Sequence, residues 1–270
     1  MRFLIFLIFF TLFFSIYFTA NYYVFAKATV FFKVLNVPLR AFKIVFWLVA
    51  FSFLIGRIAE KIYLSKFSCM ISWFGAFWLG ALTYLFFIIL FLDLLLLINN
   101  FFGLYDFSPN KVFFIKLAGY TIITIVLFLV AYGNWNSRRP IVKNISLSID
   151  KKSKLSGLRI AAASDIHLGT IIGNGRLMHL VNTINSYEPD IILLIGDVVD
   201  EDLAPVIKQN LGESLRMFKS KYGVYSVTGN HEFIGNVSAA EKYLEEHNIR
   251  VLRDSVKIFQ DKFVIVGRDD

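Results

Sequence analysis

Two rhythms of apolar residues divide this chain. As far as about residue 133 the apolar residues come in long, nearly unbroken runs. Beyond about residue 158 they come in runs of four or five, or at helical spacing, between polar turns. A bilayer core is about 30 Å thick and takes roughly 20 apolar residues as a helix. Phe3 to Ala20, Met70 to Ile98 and Val112 to Tyr132 suit such a span. Ala41 to Ile55 is shorter and needs Lys43 to snorkel to the surface. The pattern therefore predicts about four transmembrane helices within residues 1–133. The first run follows Arg2 and precedes Ala26-Lys27-Ala28, as a cleaved signal peptide would. Its continuation through Tyr22, Tyr23 and Phe25 favours a retained helix.

Residues 134–157 read as a linker and a leading strand. Gly133 to Pro140 interrupts the last run, and Ile145, Leu147 and Ile149 then alternate with polar residues. Leu158 to Ser164, Ile191 to Ile195 and Gly223 to Val227 read as strands buried on both faces. Gly175 to Ser186 reads as a helix with Leu177, Leu180, Val181 and Ile184 on one face, and Leu211 to Ser220 and Ala239 to His247 as further helices. Short strands are expected at Arg250 to Leu252, Val256 to Phe259 and Phe263 to Val266. Buried strands alternating with helices predict a parallel sheet with helices on its faces. The expected architecture is a multi-span helical membrane region followed by an α/β domain over 158–270.

Charge sharpens this division. The net charge of +8 falls almost entirely on the first half, where Lys and Arg sit between the apolar runs. The second half carries no basic patch, so nucleic acid is not an expected partner; a lipid bilayer is. With four spans both ends share a side. Arg2, the loop with Arg57, Lys61 and Lys66, and the basic stretch from Arg138 to Lys154 outweigh Lys27, Lys33, Arg40 and Lys43 on the other side. The positive-inside rule then places the second domain in the cytoplasm, at the inner membrane of the cell. Asp93 is the one carboxylate inside a long run, and it reads as lying about a turn from Asn99 and reaching the interface. Cys69, the only cysteine, excludes an internal disulfide and a cysteine zinc site.

Three polar clusters follow the three buried strands: Asp165-Ile166-His167, Gly196-Asp197-Val198-Val199-Asp200 and Gly229-Asn230-His231-Glu232. In an open parallel sheet, ligands bind beyond the carboxyl ends of the strands, so the fold brings all three to one edge. Carboxylate, imidazole and amide oxygen suit manganese, iron or zinc. Asp165 and His167, two apart on an extended segment, point the same way and clamp one ion. Asp197 has two oxygens to bridge a pair of ions, and Asn230 offers a neutral oxygen to the second. Two ions about 3.5–4 Å apart activate a hydroxide for in-line displacement at phosphorus. His231 is placed to protonate the leaving oxygen.

These clusters resemble the calcineurin-like metallophosphoesterase family, whose pattern runs D-x-H, G-D-x-x-D and G-N-H-E or G-N-H-D. The likeness covers roughly Leu158 to Asp270 and extends to Ser164, Pro189-Asp190 and Gly267-Arg268-Asp269-Asp270. It is greatest for the bacterial branch with N-terminal membrane helices. The resemblance implies two divalent metal ions, with Asp165, His167 and Asp197 on the first and Asp197 and Asn230 on the second. It implies His231 as the catalytic acid, and Asp200 and Glu232 as residues that orient the ligands. The family has two further clusters downstream, a G-H and a G-H-x-H, that supply its remaining histidine ligands. The histidines outside the motifs here, His179 and His247, fall on predicted helices and read as surface or packing residues. The chain therefore reads as cut short at its C-terminus. The resemblance implies hydrolysis of a phosphomonoester, phosphodiester or pyrophosphate. Relatives that cleave UDP-2,3-diacylglucosamine point to a lipid or nucleotide-linked lipid. The competing reading is a non-catalytic, membrane-bound binding or scaffold module that keeps a partial metal site.

Overall fold

The computed structural model describes residues 2–150, 155–260 and 262–269. The lysines at 151, 152 and 154 and the closing Asp270 of the expected domain lie outside the described residues. The chain divides into two compact units, Met1–Arg139 and Pro140–Asp270.

The first unit consists of four long helices, α1 (Arg2–Val34), α2 (Leu39–Ile62), α3 (Lys66–Phe102) and α4 (Lys111–Asn136). Each holds a segment long and apolar enough to cross a membrane. Their ends are set locally. Ser65 caps α3 in a reciprocal pair with Ser68, which satisfies first-turn N–H groups. Gly103, at a φ of +63°, closes its other end in the left-handed form that glycine adopts at least cost. The helices pack through Tyr17, Val24, Phe46, Ala50, Leu82 and Ile89, while most other apolar side chains face outward. Such inverted exposure suits lipid as the surrounding solvent.

Two expectations fail in this unit. The first helix runs on to Val34, so Lys27 lies within α1 rather than in a loop. Asp93, about a turn and a half before Asn99 on α3, has partners on α1 that the sequence did not suggest. Its Oδ2 lies 2.5 Å from Lys27 Nζ and accepts a 2.6 Å hydrogen bond from Tyr23 Oη, tying α3 to α1. An unpaired charge within a membrane-capable helix is costly, and the partners on the neighbouring helix offset that cost. The last helix also runs past Gly133 to Asn136, since one glycine costs only about 1 kcal/mol in a helix.

The second unit is an α/β domain. Strands β1 (Ile160–Ala163), β2 (Ile191–Ile195), β3 (Val224–Val227) and β4 (Ile249–Val251) form one parallel sheet in the order β1-β2-β3-β4. Helices α5 (Asn174–Ser186), α6 (Ala204–Lys208), α7 (Leu211–Leu215), α8 (Asn230–Gly235) and α9 (Val237–Glu246) connect them. Strands β5 (Ser255–Phe259) and β6 (Phe263–Gly267) form an antiparallel hairpin. Alternation along β2 sends Ile192 and Leu194 into a core with Leu177, Val181, Leu211, Leu215 and Leu244 from the helices. It sends Ile191 and Leu193 to the opposite face, against Phe259, Phe263 and Ile265 of the hairpin. Both faces of β2 are thus covered, as an unbroken apolar run requires.

Three local readings are corrected. Residues 140–150 form no strand: Ile145, Leu147 and Ile149 are exposed, and among the described residues no strand pairs with them. Alternation alone cannot satisfy a strand's backbone without a neighbour. β1 is not buried on both faces; it borders the sheet with β2 as its one partner, and Ile160 remains 51% exposed. The single helix expected over 211–220 is the short α7, preceded by α6.

Candidate metal centre

The three clusters leave the carboxyl ends of β1, β2 and β3, and the backbone binds them to one another. Asp165 N and His167 N donate to Gly196 O and Asp197 O, at 3.3 and 2.8 Å. Leu168 N donates to Val198 O at 2.9 Å, and Asp200 N returns to Leu168 O at 3.0 Å. The first loop is therefore zipped to the second. It is not extended, as the two-residue spacing suggested: Asp165, His167 and Asp197 have φ of 55°, 50° and 52°. Three left-handed non-glycine residues side by side cost energy that the surrounding hydrogen bonds must hold, a pattern that gathers at functional sites.

The third loop docks through Glu232. This carboxylate is 3% exposed and lies on α8. Its Oε2 accepts from Asp197 N at 3.0 Å and Gly229 N at 2.9 Å, and its Oε1 accepts from Val199 N at 2.9 Å. Glu232 thereby fastens the loop after β3 to the loop after β2. Close approach is compulsory here, since a Cβ on Gly229 would run into Asp197 Oδ1 and come within 2.7 Å of Asp197 N. His231 N donates to Asp197 Oδ1 at 2.9 Å, which orients that carboxylate.

The side chains meet in two overlapping groups. Asp165, His167 and Asp197 offer ligand atoms within 4.8 Å of one another, and so do His167, Asp200 and His231. His167 Nε2 stands 4.0 Å from both Asp165 Oδ1 and Asp197 Oδ2. That is too long for a hydrogen bond but suits atoms that each reach one ion at about 2.0–2.2 Å. His167 Nδ1 is buried with no hydrogen-bond partner, so this ring is held by packing rather than by the local network. The rings of His167 and His231 meet edge to face with centroids 4.4 Å apart. The oxygen and nitrogen donor set fits a hard or borderline divalent cation.

His231 Nδ1 lies 2.9 Å from Asp200 Oδ1. If Nδ1 carries its proton toward Asp200, Nε2 is the ring nitrogen that remains available to accept or hold another. A cavity of about 250 Å³ opens beside it, lined by Asp200, Glu201, Asp202, His231 and Asn236 among others. Asn230, expected on a second ion, opens α8 between Gly229 and His231, both of which touch Asp197; its own side chain is exposed. His179 is exposed on α5, and His247 packs on Tyr243 with Nδ1 2.6 Å from the Tyr243 carbonyl; neither joins the centre. Sequence reasoning did not find the direct Asp200–His231 contact or the side-chain network around Arg253 described below. Their partners are distant in sequence, and no local signal marks which residues pair.

An open parallel sheet with acidic and histidine clusters beyond three successive strands defines an α/β domain whose clustered side chains could hold a metal ion. Residues 158–268 match the model of the calcineurin-like phosphoesterase family, to which this domain is similar. Proteins described as a transmembrane protein with metallophosphoesterase domain are similar to the chain in Danio rerio (30% identity) and Bos taurus (32%). Each match covers 55% of this chain, and 36% and 35% of the relative. A metallophosphoesterase of Campylobacter jejuni, described as uncharacterized, is 30% identical over 64% of this chain and 46% of its own length. That share exceeds what the 158–268 domain supplies, so the likeness reaches back into the apolar helices. The chain spans less than half the length of these relatives. No solved structure matches it.

Proposed function

We propose that this chain is a membrane-anchored, metal-dependent phosphoesterase that hydrolyses a phosphomonoester, phosphodiester or pyrophosphate bond. The observation that carries the reading is the convergence of Asp165, His167, Asp197, Asp200 and His231 from three strand ends onto one edge of the sheet. Asp165, His167 and Asp197 would hold one divalent ion, and Asp197 and Asn230 a second, with manganese, iron or zinc suited to such donors. Ions bound there supply positive charge against the phosphoryl oxygens and a source of activated water.

The chain's own groups do the rest. Glu232 and His231 N fix the Asp197 carboxylate in place through the backbone. Asp200 holds the His231 ring so that its Nε2 can pass a proton to the departing oxygen. Four apolar helices suit a substrate at a bilayer surface, such as a phosphorylated lipid or nucleotide-linked lipid. The balance of basic residues supports the cytoplasmic face of the inner membrane.

The test uses the purified protein in detergent, with bis(p-nitrophenyl) phosphate and Mn²⁺. Hydrolysis should vanish with EDTA, return with Mn²⁺, and fall to background in Asp197→Ala. Metal-independent hydrolysis, or full activity in Asp197→Ala, overturns the reading.

A further inference from the structure

One side-chain network beside the centre serves none of the roles above. Thr228 directly follows β3 and immediately precedes Gly229. It is 6% exposed, and its Oγ1 donates a 2.7 Å hydrogen bond to Asp269 Oδ1. Asp269 is gripped in turn by Arg253, which follows β4. Arg253 Nε lies 2.9 Å from Oδ1 and Nη2 lies 2.6 Å from Oδ2, a two-point fork. The fork fixes the carboxylate's plane as well as its position, which a single contact could not do. The same guanidinium sits 5.5 Å from the ring centroid of Phe233 on α8, within cation–π range. Its Nη1 reaches Glu241 Oε2 on α9 at 3.4 Å.

Thr228 and Phe233 flank the segment Gly229-Asn230-His231-Glu232. Arg253 therefore grips both ends of that segment, one end through Asp269 and the other through the Phe233 ring. None of Thr228, Arg253 or Asp269 belongs to either group of prospective metal ligands. We propose that Arg253 and Asp269, acting through Thr228 and Phe233, are positioning residues for the catalytic segment. They hold Gly229 against Asp197 and keep Asn230 and His231 in register with it. This rests on the phosphoesterase reading above and extends it to residues that touch neither ion nor substrate. Slack in the clamp lets the third loop drift from Asp197 while the first two loops, zipped by their own backbone bonds, stay in place.

Partners that orient ligands from behind are typically worth 10- to 100-fold in metal affinity or activity. The test uses the whole chain in detergent, with Mn²⁺ titrated by calorimetry and hydrolysis of bis(p-nitrophenyl) phosphate measured as kcat and KM. Thr228→Val keeps the shape and removes only the donor. Asp269→Ala removes the acceptor, and Asp269→Asn restores one oxygen for Thr228. Thr228→Val and Asp269→Ala should weaken Mn²⁺ binding and lower kcat by about 10- to 100-fold, with KM within twofold. Asp269→Asn should recover part of the loss. Wild-type Mn²⁺ affinity and kcat in folded Thr228→Val overturn the proposal, as does a KM change with kcat intact. If the unsubstituted protein binds Mn²⁺ without hydrolysing the diester, the functional reading fails separately. The Mn²⁺ titration then decides the clamp by itself. If Asp269→Ala does not fold, Thr228→Val carries the decision.

Discussion

Replacing Glu232 by alanine isolates what one buried carboxylate contributes to the assembly of the site. Three backbone N–H groups, of Asp197, Val199 and Gly229, donate to it at 2.9–3.0 Å. Asp197 and Val199 are buried, at 8% and 1% exposure, so alanine leaves two buried donors unsatisfied and a third partly so. An orphaned buried donor costs about 1–3 kcal/mol. Water entering the vacated space recovers part of this, chiefly at Gly229, which is half-buried. We expect Glu232→Ala to destabilise the α/β domain by about 3–5 kcal/mol, among the largest effects a single substitution produces. For a unit of this size that lowers the melting temperature by roughly 10–20 °C. Glu232→Gln keeps an acceptor at one oxygen but turns an NH₂ toward N–H groups, so it should recover at most about half of the loss. The assay is thermal unfolding in detergent, followed by near-UV circular dichroism, without added metal so that ion binding does not mask the change. A shift below about 4 °C for Glu232→Ala would mean that the three N–H groups find water as readily as carboxylate, and the reasoning would be wrong.

Further outcomes follow from other contacts. His231→Ala should slow diester hydrolysis by about 100- to 10,000-fold, the usual worth of a lost general acid, while Mn²⁺ affinity changes little. An equal loss of Mn²⁺ affinity would make His231 a ligand beside His167 and Asp200. Asp93→Ala strands Lys27 against α3 and should destabilise the helical unit by about 1–3 kcal/mol, read as earlier unfolding in SDS. The double variant Lys27→Met, Asp93→Leu should be more stable than Asp93→Ala. If it is equally unstable, the ion pair is not what joins the two helices.

What the sequence made legible follows from where each contact partner lies. Ile191 to Ile195 could be placed to the residue because five apolar side chains in a row need cover on both faces, and local composition reports that. Leu158 to Ser164 looks much the same, yet β1 borders the sheet and leaves Ile160 half exposed. Whether a strand has one neighbour or two depends on segments elsewhere, and its own residues carry no record of it. The helical unit repeats the lesson: Lys27 resembled a loop lysine because its partner, Asp93, lies 66 positions away on another helix.

The candidate site shows the same division between atoms and geometry. The residue types at Asp165, His167, Asp197, Asn230 and His231 are informative because carboxylates, imidazoles and an amide are few and chemically particular. The arrangement among them is set largely by backbone groups. Asp197 is oriented by His231 N, Glu232 is satisfied by three N–H groups, and the first two loops are joined through main-chain bonds. Every non-proline residue supplies an N–H and a C=O, so these bonds leave no signature in composition or spacing. Only their acceptor ends, such as Glu232 at the close of its motif, can be read, as a residue that orients the ligands but without the N–H groups it holds. The side-chain clamp at Arg253 is hidden for a different reason. Its members, Thr228, Phe233, Glu241, Arg253 and Asp269, are spread over some forty residues, and the one that falls in a recognisable stretch, Asp269, carries no sign there of its partners. Substituting those side chains changes the geometry of the candidate centre without altering any of its prospective ligands.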